Sequence, residues 1–225
     1  MRKIVRINMT DLTCKEEDIR NEYKYLGARG LTSAIVAFEV RPKCDPFSAE
    51  NKVIFAPGLL AGTSAPCSGR ISIGGKSPLT GTIKEANAGG TAAQLLAQYG
   101  ISALVIEGKP VSGRLRSRAS VMERGTYIVK ISEEGVELIR DDQIKKLGNY
   151  ELVDQLRKKY GPNISCITIG PAGENGMLSA TIAVTDPQGR PTRHAGRGGL
   201  GAVLGAKRVK GIVIESKNVK KVTLK

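Results

Sequence analysis

Two stretches, Asn87-Ala88-Gly89-Gly90 and His194-Ala195-Gly196-Arg197-Gly198-Gly199, decide the fold, because each opens the same succession of elements. A run of small residues follows each stretch, at 92–97 and 202–205, and a strand-like apolar segment comes next. A glycine loop that leads into a helix N-terminus directs backbone N–H groups and the helix dipole towards an anion. Two such loops predict a ligand with two phosphates that is itself two-fold.

The order of elements upstream of the loops is also repeated. Residues 53–109 and residues 164–217 each read as strand, Gly/Pro turn, strand, glycine loop, helix and strand. This self-similarity predicts an internal duplication, and two copies are too few for a solenoid, so they should pair into one body. Separated strands and few helices favour an α+β fold, with two intertwined repeats forming mixed β-sheets with short helices. No linker divides residues 1–225, which predicts a single domain.

The rest of the chain gives weaker signals. An alternating pattern at 3–8 predicts a first strand, and the charged segment 15–25 is helix-like. Residues 127–131 and 136–139 flank a turn and predict a hairpin inserted between the repeats. Residues 150–160 read as an amphipathic helix that ends at Gly161-Pro162.

The composition is that of a globular protein with an aliphatic core. Of 225 residues, 40% are hydrophobic but only 4% are aromatic, and the net charge is +14. A basic nucleic-acid-binding protein is one alternative, although the charges are scattered, few aromatics are present for base stacking, and no recognition motif is found. Nucleic acid is therefore not the expected partner. The excess charge also fits bound phosphates or an acidic partner subunit.

Cysteine and histidine usage argues against a zinc, iron–sulfur or histidine-rich metal site made by this chain alone. The four cysteines, Cys14, Cys44, Cys67 and Cys166, form no C-x-x-C pair, and there is one histidine. Residues 1–7 resemble a strand rather than a signal peptide, and no apolar run approaches the ~20 residues of a membrane span. These features predict a reduced, cytoplasmic protein without a membrane partner.

Two familiar glycine motifs fail on context. Gly196-Arg197-Gly198-Gly199-Leu200-Gly201 spells the dinucleotide-binding pattern, but a polar loop rather than a strand is expected before it. Gly75-Lys76-Ser77 resembles the end of a P-loop, but Arg70 stands where the first glycine of that motif belongs. No nucleophile–base pair or carboxylate pair is recognisable, so no catalytic residue is assigned.

Each candidate binding residue has a structural alternative. Arg193 and Arg197 suit bidentate phosphate contacts, and Arg70 adds a third cation unless it is only a surface residue at a strand end. Asn87 either donates to a phosphate, presents its oxygen to Mg²⁺, or is a turn residue. His194 is more typical of a loop residue than of a proton carrier, and its backbone carbonyl is the more useful group.

Six motifs, two of which include the glycine loops, resemble in order across residues 6–216 the N-terminal domain of tungsten-dependent aldehyde ferredoxin oxidoreductases. They read Asp45-Pro46-Phe47-Ser48-Ala49-Glu50-Asn51-Lys52, Gly62-Thr63-Ser64-Ala65-Pro66, Lys76-Ser77-Pro78-Leu79-Thr80-Gly81, Ala86-Asn87-Ala88-Gly89-Gly90, Ile169-Gly170-Pro171-Ala172-Gly173-Glu174-Asn175 and Ala195-Gly196-Arg197-Gly198-Gly199-Leu200-Gly201-Ala202-Val203.

The resemblance implies a duplicated pair of mixed sheets that forms the base for a bis-pterin tungsten (or molybdenum) cofactor. It implies a Mg²⁺ between the two pterin phosphates, with the Asn87 side chain and the His194 backbone carbonyl as ligands. The usual residue at the His194 position is small, so the imidazole is a departure. The cofactor-binding set expected from the loops and the resemblance is Arg70, Asn87, Ala88, Gly89, Gly90, Arg193, His194, Ala195, Gly196, Arg197 and Gly198.

In the complete enzymes of that family, an aldehyde is oxidised to a carboxylic acid and electrons pass through a [4Fe–4S] cluster to ferredoxin. The cluster and the substrate pocket belong to two further helical domains that this sequence lacks. The expectation is a cofactor-binding subunit that needs a partner with those domains and reaches the cluster and ferredoxin only through it. A non-catalytic carrier of pterin phosphates stays open as an alternative function. A homo-oligomer stays open as an alternative assembly.

Overall fold

The computed structural model describes residues 2–110 and 125–216, and strands dominate it. They form two six-stranded mixed sheets, each from one contiguous half of the chain. The first sheet contains β1 (Lys3–Asn8), β2 (Thr13–Asp18), β3 (Val53–Pro57), β4 (Ile71–Lys76), β5 (Ile83–Ala88) and β6 (Ile101–Glu107). The second contains β7 (Tyr127–Ser132), β8 (Gly135–Arg140), β9 (Ile164–Thr168), β10 (Ile182–Val184), β11 (Arg193–Ala195) and β12 (Val209–Glu215).

The α-helices of the described residues are few and mostly short. Two of them have 12 residues and the other three have four to seven. They are α1 (Ala28–Glu39), α2 (Ala92–Gln98), α3 (Asn149–Tyr160), α4 (Pro171–Glu174) and α5 (Leu200–Ala206). No helix within residues 2–110 and 125–216 is long and apolar enough to cross a bilayer.

The two sheets have the same topology. The strand order is β2-β1-β6-β3-β4-β5 in the first and β8-β7-β12-β9-β10-β11 in the second, and in each the first and last strands of the half pair in parallel. The α+β fold with duplicated mixed sheets is therefore the fold that the sequence predicted. The repeated unit is longer than the predicted 53–109 and 164–217: it begins at β1 and β7, and Lys217 lies outside the described residues.

Two local predictions are wrong. The hairpin of β7 and β8 is not an insertion, because it opens the second repeat as β1 and β2 open the first. The segment 15–25 is not a helix, because its first part is β2, an edge strand that pairs antiparallel with β1. Cross-strand ion pairs, Lys3 with Glu16 and Arg6 with Glu17, each at 2.7 Å, stabilise β2. Charged residues on an edge strand also discourage pairing with another chain.

The core joins the two repeats. The largest hydrophobic cluster contains buried residues of both sheets together with residues of α2 and α5. Helix α2 contacts β9 and β12 of the other repeat, and α5 contacts β3 and β4. The repeats are thus intertwined through these two helices rather than by exchange of strands. The long helices α1 and α3 cover separate clusters on their own sheets.

Candidate functional site

The two glycine loops begin where two edge strands meet. Strand β5 is the last strand of the first sheet, β11 is the last of the second, and the two are in contact. In the strand register, Ala88 pairs with Ile71, the first residue of β4, and Ala195 pairs with Ile182, the first residue of β10. The positions of Asn87 and His194 are therefore equivalent in the two repeats, and so are those of Gly89 and Gly196.

The Asn87 amide and the His194 imidazole have different environments. The half-buried Asn87 side chain makes no hydrogen bond to any described residue. The exposed His194 ring forms a hydrogen bond of 2.8 Å between its Nδ1 and Thr181 Oγ1. This hydrogen bond to Thr181 holds the imidazole at the strand edge.

Gly89 and Gly196 face open space. A Cβ on Gly89 would meet nothing within 4 Å, and a Cβ on Gly196 would meet only the Thr181 methyl group at 3.9 Å. Neither residue has a positive φ. Neither glycine is therefore required by backbone conformation or by packing inside this chain. A missing Cβ at both equivalent positions leaves room for another group to approach the backbone.

Gly90, Gly198 and Gly199 have structural explanations of a different kind. All three have positive φ, at +112°, +81° and +67°. A Cβ on Gly90 would collide with the Thr185 carbonyl oxygen, one on Gly198 with the Lys84 side chain, and one on Gly199 with the Leu178 carbonyl oxygen. These three glycines are therefore explained by backbone conformation and by packing within the chain.

The three predicted arginines are in or next to the strands and loops of this junction. Arg70 directly precedes Ile71 and so lies beside Gly89, Arg193 is in β11, and Arg197 follows Gly196. All three are exposed, and none forms an ion pair or hydrogen bond with a described residue. Other arginines are paired, as Arg29 is with Glu85 at 2.9 Å. The three unpaired guanidinium groups are available to an anion.

The helix N-termini do not form the anion cradle that the loops predicted. Helices α2 and α5 have only seven residues each, and their first helical residues, Ala92 and Leu200, are buried. In α5 the N–H of Gly201 already donates to the Ala180 carbonyl at 3.1 Å. Any anion at this surface would meet the arginines and the exposed loop backbone instead.

One reason for excluding a dinucleotide site is also wrong. A strand, β11, does precede Gly196 directly. It is an edge strand antiparallel to β10, however, and β10 and β9 separate it from β12, the strand that follows the helix. The parallel neighbours of a dinucleotide-binding unit are therefore not formed here. In the P-loop look-alike, Lys76 is buried and its Nζ donates to the Pro42 carbonyl, away from any phosphate.

Metal-binding clusters and reactive cysteines are the alternatives to an anion site. The described residues contain no group of three or more His, Cys, Asp or Glu side chains arranged to hold a metal ion. Burial raises the pKa of Cys166 to about 12, so its thiol is not a nucleophile at neutral pH. Sequence reasoning missed two residues that shape the loops: Thr181, which bonds His194, and Ser77, whose Oγ donates to the Gly198 carbonyl at 2.8 Å. In sequence, Ser77 lies in the Gly-Lys-Ser run and in one of the six family motifs, and neither pattern indicates a hydrogen bond to Gly198.

Comparisons with known proteins agree with this architecture. Residues 4–216 match the model of the aldehyde ferredoxin oxidoreductase N-terminal domain. Tungsten-containing aldehyde ferredoxin oxidoreductases from Pyrococcus abyssi and Pyrococcus horikoshii are each 41% identical to 94% of the chain, and the enzyme from Pyrococcus furiosus is 40% identical to 95% of it. The chain spans about a third of their length, 32% to 33%.

A solved structure is similar over nearly the whole chain. It is the active site complex BamBC of benzoyl coenzyme A reductase with 1,5-dienoyl-CoA, matched with a TM-score of 0.85 and 27% identity over 98% of this chain and 31% of that one. The family match, the identities and the shared fold cover the same residues. This chain therefore belongs to the family of aldehyde ferredoxin oxidoreductase N-terminal domains.

Proposed function

We propose that this chain binds the phosphates of a bis-pterin tungsten cofactor and serves as the base of an aldehyde ferredoxin oxidoreductase-type enzyme. The names of its relatives support the tungsten and the oxidoreductase class. Because the chain spans a third of those relatives, their activity and their partners come to it only as part of this proposal.

The observation that carries the proposal is the pair of equivalent open glycines, Gly89 and Gly196, at the junction of β5 and β11. A ligand with two similar halves fits two equivalent places where the backbone is bare. Arg70, Arg193 and Arg197 supply three unpaired positive charges around it, enough to neutralise much of the charge of two phosphate groups.

Asn87 and His194 fit a Mg²⁺ ion between the two phosphates. Mg²⁺ prefers oxygen ligands, and it commonly takes one or two from the protein while phosphates and water supply the others. The unpartnered Asn87 amide offers a side-chain oxygen, and the His194 backbone offers a carbonyl. In this arrangement the chain would hold the ion by its two edge strands, one ligand from each repeat.

When bound, a pterin-held tungsten supplies the two-electron redox chemistry of aldehyde oxidation. The residues of this chain bind and orient the cofactor from one side, and none of them is assigned a proton-transfer role. We infer that a partner with the helical part of the relatives supplies the substrate pocket and a [4Fe–4S] cluster, and that ferredoxin is reached through that partner. A cytoplasmic location and a homo-oligomer remain part of this proposal.

Glycine substitutions test the carrying observation. Gly89→Ala and Gly196→Ala add a methyl group where nothing in this chain obstructs it, so the melting temperature should change little while the cofactor is displaced. Gly148→Ala is the matched control, because Gly148 is the N-cap of α3, has an ordinary φ of −67° and leaves an added Cβ without a neighbour within 4 Å.

The measurement is the tungsten and pterin content of the chain purified with its partner from a tungsten-supplied host. The proposal expects at least a fivefold loss of both in the two loop variants, with normal content in the Gly148 variant. Full tungsten and pterin content in both loop variants would refute cofactor binding at this junction.

A further inference from the structure

Each glycine loop is held by the repeat to which it does not belong. The loop of the second repeat is bonded to Ser77, at the end of β4 in the first repeat. The loop of the first repeat is bonded to Thr185 and Ser165 in the second, through the Thr91 N–H at 3.1 Å and the Thr91 hydroxyl at 2.8 Å. The exchange is reciprocal, although the bonding groups differ.

We propose that Ser77 is a positioning residue for Arg197, acting through the Gly198 carbonyl, so that the two halves of the phosphate site depend on each other. The inference rests on the proposed function, because it gives Arg197 a phosphate to bind. It adds a residue from the opposite repeat that never touches the ligand.

The geometry fixes the direction of the hydroxyl proton of Ser77. The side chain is fully buried, and its oxygen accepts the N–H groups of Leu79 at 3.1 Å and Thr80 at 3.2 Å. With two donors on the oxygen, the proton points to the Gly198 carbonyl at 2.8 Å. One buried hydroxyl therefore ties the turn after β4 to the loop that carries Arg197.

The loop itself has little freedom once that bond is made. Gly198 and Gly199 both adopt left-handed backbone conformations, and the Lys84 side chain packs against Gly198. Arg197, one residue earlier, is exposed and has no partner among the described residues. The loop backbone therefore fixes the point from which the Arg197 side chain extends, while no contact within the described chain holds the guanidinium itself. A fixed starting point limits the space that the guanidinium has to search for an anion.

A double-mutant cycle separates positioning from general stability. Ser77→Ala, Arg197→Ala and the combined variant of the full chain are titrated with inorganic pyrophosphate in Mg²⁺, a probe with two phosphates. Ser102→Ala is the control. Ser102 is in β6, away from both loops, and its buried hydroxyl accepts a hydrogen bond from Arg2. We expect Ser77→Ala to weaken binding several-fold, and to weaken it no further when Arg197 is already alanine. Fully additive effects would overturn the inference.

Hydrogen exchange tests, without any ligand, whether the Ser77 hydrogen bond holds the loop at Gly198. Ser77→Ala leaves the Gly198 carbonyl without its partner, so the amides of Gly201 and Ala202 just beyond the loop should exchange roughly tenfold faster, while Ser102→Ala leaves them unchanged. Unchanged exchange rates in the Ser77 variant would show that Ser77 does not hold the loop. If the wild-type chain binds no Mg²⁺-pyrophosphate, phosphate binding at this junction is refuted, and the exchange result still decides whether Ser77 holds the loop.

Discussion

At the scale of single residues, the junction of β5 and β11 leaves several polar groups without partners. The Asn87 amide and the side chains of Arg70, Arg193 and Arg197 make no hydrogen bond or ion pair with a described residue. Other charges of the chain are paired, as in the network where Arg6 and Lys52 both contact Glu39, at 2.9 Å and 3.0 Å. That network holds the pKa of Glu39 at about 2 against the opposing effect of burial. An anion at the junction would give its arginines the partners that the Arg6 network already has.

Asn87→Ala should separate binding from stability. The amide makes no hydrogen bond within the described chain, so its loss should change the free energy of unfolding by no more than about 0.5 kcal/mol. Loss of a Mg²⁺ ligand should lower cofactor retention several-fold. Metal analysis and thermal melting of the same preparation check both. Retention at the wild-type level would remove Asn87 from the site.

Asn87, His194 and the arginines were predicted as binding residues from residue type and from the family resemblance, and their binding roles stay a prediction. The structure brings β5, which carries Asn87, into contact with β11, which carries Arg193 and His194. The glycines looked alike in sequence, yet Gly89 and Gly196 lie open while Gly90 and Gly198 pack against the other repeat. That difference arises from contacts between residues about a hundred positions apart, which no local pattern contains.

At the scale of elements, β2 shows how tertiary pairing overrides local propensity. Its run Thr-Cys-Lys-Glu-Glu-Asp has no apolar alternation, and only the antiparallel ladder with β1 identifies it as a strand. Its counterpart β8 alternates more clearly, and its hairpin was predicted correctly from sequence. The position of that hairpin in the repeat was missed, because the strand order that relates the two halves appears only in the sheets.

Helix α5 carries a glycine where α2 has alanine at the equivalent position, Gly205 against Ala97. A Cβ on Gly205 would collide with the Gly173 carbonyl of α4, an element that the first repeat lacks. In the first repeat the glycine is on the other side of the contact, since a Cβ on Gly62 would lie 2.9 Å from Cβ of Ala97. Each repeat therefore uses glycine where another segment approaches α2 or α5 most closely.

Gly205→Ala should destabilise the protein although alanine is the better helix former. Helix propensity favours alanine by about 1 kcal/mol, but forcing α4 and α5 apart should cost about 2–4 kcal/mol. We expect a net loss of about 1–3 kcal/mol in chemical unfolding. Ala206→Gly, on the same helix, measures the propensity alone. A gain in stability for Gly205→Ala would show that α4 moves aside without cost.

At the scale of the whole molecule, two long side chains join the repeats at the ends of the inner helices. The Tyr99 hydroxyl, just after α2, donates to the Glu215 carbonyl at the end of β12, at 2.9 Å. Lys207, just after α5, donates through Nζ to the Gly108 carbonyl beyond the end of β6, at 2.8 Å, and to the Asn51 carbonyl. Equivalent positions thus make equivalent contacts between repeats with different chemistry.

Lys207 should make the stability of the protein depend on pH. Burial lowers its pKa to about 7 from 10.5, and the nearby positive charges of Lys52 and Lys109 act in the same direction, against the attraction of Glu107. Between pH 7 and 10.5 the unfolded chain therefore holds a proton that the folded chain has released. Stability consequently rises with pH across that range, and below pH 7 the folded state bears the full penalty of a buried charge.

The comparison with Lys207→Met isolates this effect. From pH 7 to pH 9 the wild-type free energy of unfolding should rise by roughly 2 kcal/mol relative to that of the variant, at up to 1.4 kcal/mol per pH unit. Lys210, whose pKa burial also lowers, is present in both proteins and cancels. Cys166, whose pKa burial raises from 9 to about 12, is likewise present in both proteins and cancels. Urea unfolding at pH 7, 8 and 9 is the measurement. Parallel pH profiles for the two proteins would mean that Lys207 stays charged in the fold. The contact between the repeats would then be a hydrogen bond from a charged ammonium group to the two carbonyls.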